Sequence, residues 1–309
     1  MNGPKPFNDI AYFGRITRKS KQAYSYGRAY YEKLPTRKCP DPQSRYHHAH
    51  WISSNGSLSE CMVLSALDRW SAIHGYPVTC YSSCPMWDIL GKQVGFRRGA
   101  DLTEGVTAVR AARMWNCGAG HILQRLQVLS GLPIGKALLG MLPHYTGTQP
   151  GLVLMHLGAQ RWGHCCQLKI QLRTIQVFLK FLRYAKDFKF IQVGSNPVPH
   201  LGTHVNCDMA NLLEIASRCE YYIGIPSGVM HLMTALNKRC IVIISRINAC
   251  DVALPVKKNI WLESPIWLYP QNIHLHEFGD GPQAKYISVD TLRQAINGEL
   301  HPSLPCTWR

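Results

Sequence analysis

The stretch YYIGIPSGVMHLMTALNKRCIVII, residues 221–244, constrains this chain more than any other. An apolar run stops at Gly224, the chain turns through Pro226-Ser227-Gly228, a helical pattern follows, and the apolar run CIVII closes the unit. A strand–helix–strand order implies parallel strands joined by a helical crossover. The first half opens the same way. HAHWISS reads as a strand and Asn55-Gly56-Ser57 as a turn. A helix over about 59–74 then carries Val63, Leu67, Trp70 and Ile73 on one face; Gly75-Tyr76-Pro77 stops it, and VTCYSS is a second strand.

The same reasoning predicts helices over 104–115 and 121–129, the strand GLVLMHLGA, and a helix over about 168–185. It also predicts a strand over 188–194, a short helix over 212–218, and a final helix in SVDTLRQAING capped by Ser288. A loop with Pro143, Gly147, Pro150 and Gly151 separates the halves. The expected architecture is α/β: a basic extension over 1–45 and two Rossmann-like domains, 46–148 and 149–309. Their parallel sheets face a central cleft, and ligands bind beyond the carboxyl ends of such strands.

At 309 residues and 46% hydrophobic, the chain is long enough for two cores, and only 17% charged residues argue against a disordered chain. Its apolar runs, such as Ile241 to Ile244, fall far short of the roughly 20 residues that span a bilayer. MNGPKPFNDI has no apolar stretch of the kind a secretory signal carries, so a soluble, cytoplasmic protein is expected. Twelve cysteines are scattered without a CxxC pair, and Cys61, Cys219 and Cys240 sit inside apolar patterns, so free thiols are expected. His164-Cys165-Cys166 is the one metal-like cluster, and adjacent cysteines are awkward ligands; no metal site is expected.

Net charge is +16, and residues 1–46 hold ten Lys or Arg against three Asp or Glu, a balance of +7. Such a surface favours a nucleotide, a phosphorylated lipid or a nucleic acid without choosing among them. The arm interleaves its cations with Tyr12, Tyr24, Tyr26, Tyr30 and Tyr31. It reads as an extension packed on the body, as a contact for an anionic membrane surface, or as a stacking platform for bases.

Chemistry concentrates at GIPSGVMH. Glycine lets a ligand approach the backbone, and a helix that starts after it directs the unpaired N–H groups of residues such as Gly228 and Val229 at the same place. A phosphate is the natural occupant, with Ser227 and His231 as further donors. With the upstream LLEIASRCEYYIG, this segment resembles the nucleotide-diphosphate signature of family 9 glycosyltransferases, the heptosyltransferase-like enzymes of the GT-B fold. Leu212, Glu214, Ile215, Ala216, Gly224, Ser227, Gly228, His231, Ala235 and Leu236 fall in register with it. The family's aspartate before Ser-Gly is Pro226 here.

The first half resembles the same family. Gly56-Ser57-Leu58-Ser59-Glu60, followed by Leu64, Leu67 and Pro77, stands where the family has its acceptor loop, with Glu60 at the place of an aspartate proposed as catalytic base. On the residues alone, the plainer reading of Glu60 is a first-turn acid favourable to the helix dipole. GHILQRLQVLSGLP resembles a helix late in the acceptor domain, and LMHLGAQRWG resembles the first donor-domain strand with its K-x-W-P segment. There Gln160 takes the place of the phosphate-binding lysine and Arg161 stands beside it, a surface arginine on the plainer reading. Glu214 matches a ribose-contacting position and is otherwise an exposed helix acid. The resemblance runs through most of residues 48 to 296.

It implies an inverting, metal-independent glycosyltransferase with no resident cofactor. The donor would be a nucleotide-diphosphate sugar, ADP-linked and carrying a heptose, and the acceptor a hydroxyl of a lipopolysaccharide-type glycan. Such an enzyme would sit in the cytoplasm, peripheral to the inner face of the membrane through its arm. The alternatives are a non-catalytic GT-B-like binding protein and a glycosyltransferase acting on modified nucleic acid. The segment SPIWLYPQNIHLHEFGDG, residues 264–281, reads as an aromatic-rich loop packed over the domain, with Trp267, Tyr269, His274 and His276 as alternative cleft-lining residues.

Overall fold

The structure, a computed structural model, describes residues 50–53, 56–76, 78–94, 108–110, 123, 126–127, 130, 147–161, 166–169, 172–195, 197–244, 246–249, 260–261, 269, 271–276 and 287–300. The basic arm, His164, Cys165, Trp267 and the side chains of Arg161 and His276 lie outside that description.

Strands β1 (His50–Ser53), β2 (Cys80–Ser82) and β3 (Ala108–Arg110) form a parallel sheet in the order β2-β1-β3. Helix α1 (Leu58–Ile73) crosses from β1 to β2. It is buried along most of its length, and the buried carboxylate of Asp68 accepts the Cys80 N–H at 2.8 Å, which ties helix to strand. Helix α2 (Pro85–Val94) follows β2, with Pro85 at its first position, where a missing N–H costs nothing.

The second sheet contains β4 (Leu152–His156), β7 (Lys189–Gln192), β8 (Thr203–His204), β9 (Tyr221–Gly224), β10 (Arg239–Ile244) and β13 (Ile273–His276). All neighbours are parallel, in the order β13-β10-β9-β4-β7-β8. Counted along the chain this is the Rossmann order, in which connections leave the first strand in both directions and open a crevice beside it. Central strand β4 is buried at every residue, as expected where helices cover both faces. The helices are α3 (Leu172–Tyr184), α4 (Met209–Arg218), α5 (Gly228–Ala235) and α6 (Val289–Asn297). Ser288 caps α6 as predicted, in a reciprocal box with Thr291.

A third, antiparallel sheet was not expected. It joins β5 (Gly158–Arg161), β6 (Cys166–Lys169), β11 (Arg246–Ala249) and β12 (Ile260–Trp261) in the order β12-β11-β6-β5. The helix expected from 168 therefore starts at Leu172, because Leu168 pairs with Ala159 and Ile247. The helix expected over 104–115 contains β3, held in register against β1. The supposed loop over 264–281 contains β13, an edge strand of the Rossmann sheet, and both Tyr269 and His274 are buried. Among the described residues no helix is long and apolar enough to cross a membrane, and Cys61, Cys80, Cys84, Cys207, Cys219 and Cys240 are free thiols.

Candidate functional site

The crevice of the six-stranded sheet opens between β4 and β9, whose last residues, His156 and Gly224, are paired in register. The close approach requires glycine. A Cβ on Gly224 would collide with the His156 carbonyl oxygen and stand 2.5 Å from the Tyr222 hydroxyl. From Gly224 the chain passes through Ile225 and the buried Pro226 to Ser227, the N-cap residue of α5.

Ser227 has extended backbone angles suited to capping, yet its side chain makes no cap bond. Its Oγ lies 2.7 Å from His156 Nδ1 and 3.4 Å from the Tyr222 hydroxyl, which itself donates to the Ile225 carbonyl at 2.7 Å. The first N–H groups of α5, those of Gly228 and Val229 among them, thus receive no acceptor from the residue placed to supply one. No acid stands in its first turn. Burial pushes the His156 imidazole down to about 4, so the ring is neutral at pH 7. Its far edge lies over Gly194, where φ is +107° and a Cβ would fall 2.7 Å from ring atoms.

The second helix mouth belongs to α1. Gly56 turns the chain at φ +67° and donates to Ser83 Oγ at 3.1 Å. Ser57 occupies the N-cap position without capping, and its Oγ meets Ser59 Oγ at 2.9 Å. Glu60 is 5% exposed and accepts the Ser53 hydroxyl at 2.5 Å, at the carboxyl end of β1. The two mouths touch. A Cβ on Gly228 would stand 2.7 Å from Leu58 Cβ and 2.9 Å from the Ser59 nitrogen.

The structure therefore gathers Gly56, Ser57, Glu60, Ser227, Gly228 and Val229 around one junction of two helix N-termini. It draws His231 inward: the ring is 1% exposed, and Nδ1 lies 2.6 Å from the Tyr269 hydroxyl. Glu214 is exposed on α4, with Arg218 at 3.9 Å, and no described contact joins it to the junction. Arg161 ends β5 opposite Cys166. His156, Tyr222 and Ser53 were missed by sequence reasoning. For His156 and Ser53 the available signal was a polar residue at the carboxyl end of a parallel strand, where α/β proteins place ligand contacts; Tyr222, inside β9, gave no such signal. A separate cavity of about 630 Å³, lined by Leu152, Leu182, Lys186 and Phe190 among others, lies at the opposite end of the strands. Leu152 is four residues from His156, or roughly 13 Å along β4. Among the described residues no group of three or more His, Cys, Asp or Glu side chains is arranged to hold a metal ion.

Neither a protein-family profile nor a curated protein sequence matches the chain. Solved structures do. The E. coli heptosyltransferase WaaC with ADP matches with a TM-score of 0.50 and 10% identity, over 82% of this chain and 99% of that one. The fold is GT-B.

The dodecameric iron-containing glycosyltransferase TibC of enterotoxigenic E. coli gives a TM-score of 0.47 and 13% identity, over 74% of this chain and 62% of that one. This chain thus spans about 62% of the length of TibC. A family 9 glycosyl transferase from Veillonella parvula gives 0.45 and 10%, over 84% and 99%. In the GT-B frame, the Rossmann sheet with β4 and β9 is the carboxyl-terminal half, and the β2-β1-β3 sheet belongs to the amino-terminal half.

Proposed function

We propose that the protein is an inverting glycosyltransferase that moves a sugar from a nucleotide-diphosphate sugar to an acceptor hydroxyl. The observation that carries this reading is the junction itself, where two uncapped helix N-termini meet and one holds a buried carboxylate. Glu60 takes the acceptor proton, and the oxygen attacks the anomeric carbon. The bond from that carbon to the diphosphate breaks, and the leaving oxygen keeps the electron pair. The N–H groups of Gly228 and Val229, with the Ser227 hydroxyl, meet the developing negative charge without a required metal. Residues 46–148 form the acceptor side and 149–309 the donor side.

Finer assignments follow the sequence resemblance: Arg161 at the diphosphate, Glu214 at the ribose, Gly56 and Ser57 in the acceptor loop. ADP-heptose is the donor it favours, supported by the WaaC likeness, and a lipopolysaccharide-type glycan the acceptor. The basic arm would bring the enzyme to an anionic membrane surface.

Thermal-shift measurements with ADP, UDP, GDP, CDP and TDP and their sugar conjugates test this reading. A diphosphate at about 100 times its Kd adds roughly 2.7 kcal/mol of stability. Glu60→Gln is expected to keep that shift while donor turnover falls by about 10²-fold or more. If no diphosphate stabilises the folded protein, the transferase reading fails. Binding with turnover that is absent in the wild type leaves a GT-B binding protein.

A further inference from the structure

The hydrogens of the His156–Ser227–Tyr222 chain can be assigned one by one. Burial raises the Tyr222 phenol above its ordinary range, so it keeps its proton, and that proton is committed to the Ile225 carbonyl. Tyr222 can therefore only accept from Ser227. The neutral imidazole of His156 carries one N–H. Among the described residues, Ser227 Oγ is its hydrogen-bond partner, through Nδ1, while the Nε2 edge lies over the bare Cα of Gly194.

If the proton sits on Nε2, Ser227 donates to Nδ1 and has no hydrogen left for anything else. The 3.4 Å contact between Ser227 Oγ and the Tyr222 hydroxyl would then hold no hydrogen, since the tyrosine proton goes to the Ile225 carbonyl and the serine proton to His156. If the proton sits on Nδ1, the ring donates to Ser227 Oγ and the serine hydrogen is released. It can then turn to Tyr222 at 3.4 Å or to a ligand, since Ser227 remains half-buried at the entrance of α5.

We propose that His156 is a positioning residue for the diphosphate: its Nδ1–H donates to Ser227 Oγ, holds that hydroxyl off the helix N-terminus, and makes it a donor to the bound anion. This rests on reading the junction as the donor diphosphate site. Ser227 and the amides of α5 then act on the ligand together instead of satisfying each other.

Two measurements test it. Nitrogen-15 spectra of the histidine rings in the unliganded wild type should show His156 with a protonated Nδ1 and a bare Nε2; a protonated Nε2 overturns the proposal. Calorimetric titration with ADP and with inorganic pyrophosphate should show His156→Ala and Ser227→Ala each weakening binding by about tenfold, with the double variant no weaker than either. His156→Asn, which keeps a donor near the place of Nδ1, should recover most of the loss, which a merely structural role would not predict. If ADP binds the wild type and His156→Ala within twofold of each other, this proposal falls and the transferase reading stands. If the wild type binds neither probe, both fall.

Discussion

The buried imidazole of His156 makes a quantitative statement about stability and pH. Its pKa moves from 6.5 in the unfolded chain to about 4 in the folded one, because burial penalises the charged ring. At about 1.4 kcal/mol for each tenfold change in proton affinity, that displacement amounts to about 3 kcal/mol. The unfolded chain takes up its proton first as the pH falls, so the folded state loses ground from pH 6.5 downward and stops losing it below pH 4. Above pH 6.5 the full contribution is present. Urea unfolding of the wild type and of His156→Asn between pH 7.5 and 4.5 isolates this ring from the other titrating groups. The stability difference should shrink by about 2–3 kcal/mol over that window, with a limiting slope near 1.4 kcal/mol per pH unit. A difference that is flat with pH would refute the burial argument. A difference that grows as the pH falls would show that the charged ring has found a partner.

Gly228→Ala must push a methyl against Leu58 and the Ser59 nitrogen, so a loss of about 1–3 kcal/mol is expected in chemical denaturation, with α1 and α5 separated more easily. Tyr269→Phe removes the hydroxyl from a buried histidine and should cost about 1–2 kcal/mol by the same assay. Ser227→Asp places a carboxylate where α5 lacks a cap. The fold should be within about 1 kcal/mol of the wild type or above it, while diphosphate affinity measured by titration drops by more than about tenfold.

What the sequence made legible follows from length and locality. β9, α5 and β10 were read correctly because their apolar runs are long and Pro226-Ser227-Gly228 marks the break between them. Ser288 was legible as a cap because it stands immediately before the helical pattern it caps, and its partner in the box, Thr291, lies only three residues on. β3 is three residues long and β6 four, too short to impose a period of two on helical surroundings, and both are fixed by distant partners. The site shows the same division. Glycine, serine and carboxylate around the two helix starts were visible locally. That His231 would turn to Tyr269, 38 residues away, and that His156 would hold Ser227, 71 residues away, depends on sheet order rather than on neighbouring sequence.

The two helix mouths are not equivalent, and the difference has a direction. Each N-terminus carries a partial positive charge. That of α1 is answered within its own first turn by Glu60, whose carboxylate is buried and accepts from Ser53. That of α5 has no acid in its first turn, a serine drawn away by His156, and a buried proline at position 226. A group transfer between two oxygens needs this polarity. The attacking hydroxyl sheds a proton and the departing diphosphate gains negative charge, so an acceptor is served by the mouth that holds a base and a donor by the mouth that holds only donors. Placing an acid at position 226 or 227 would neutralise the second mouth and erase the polarity. A proline at 226 carries no charge, so it leaves undiminished the field that a leaving diphosphate would meet in the proposed reaction.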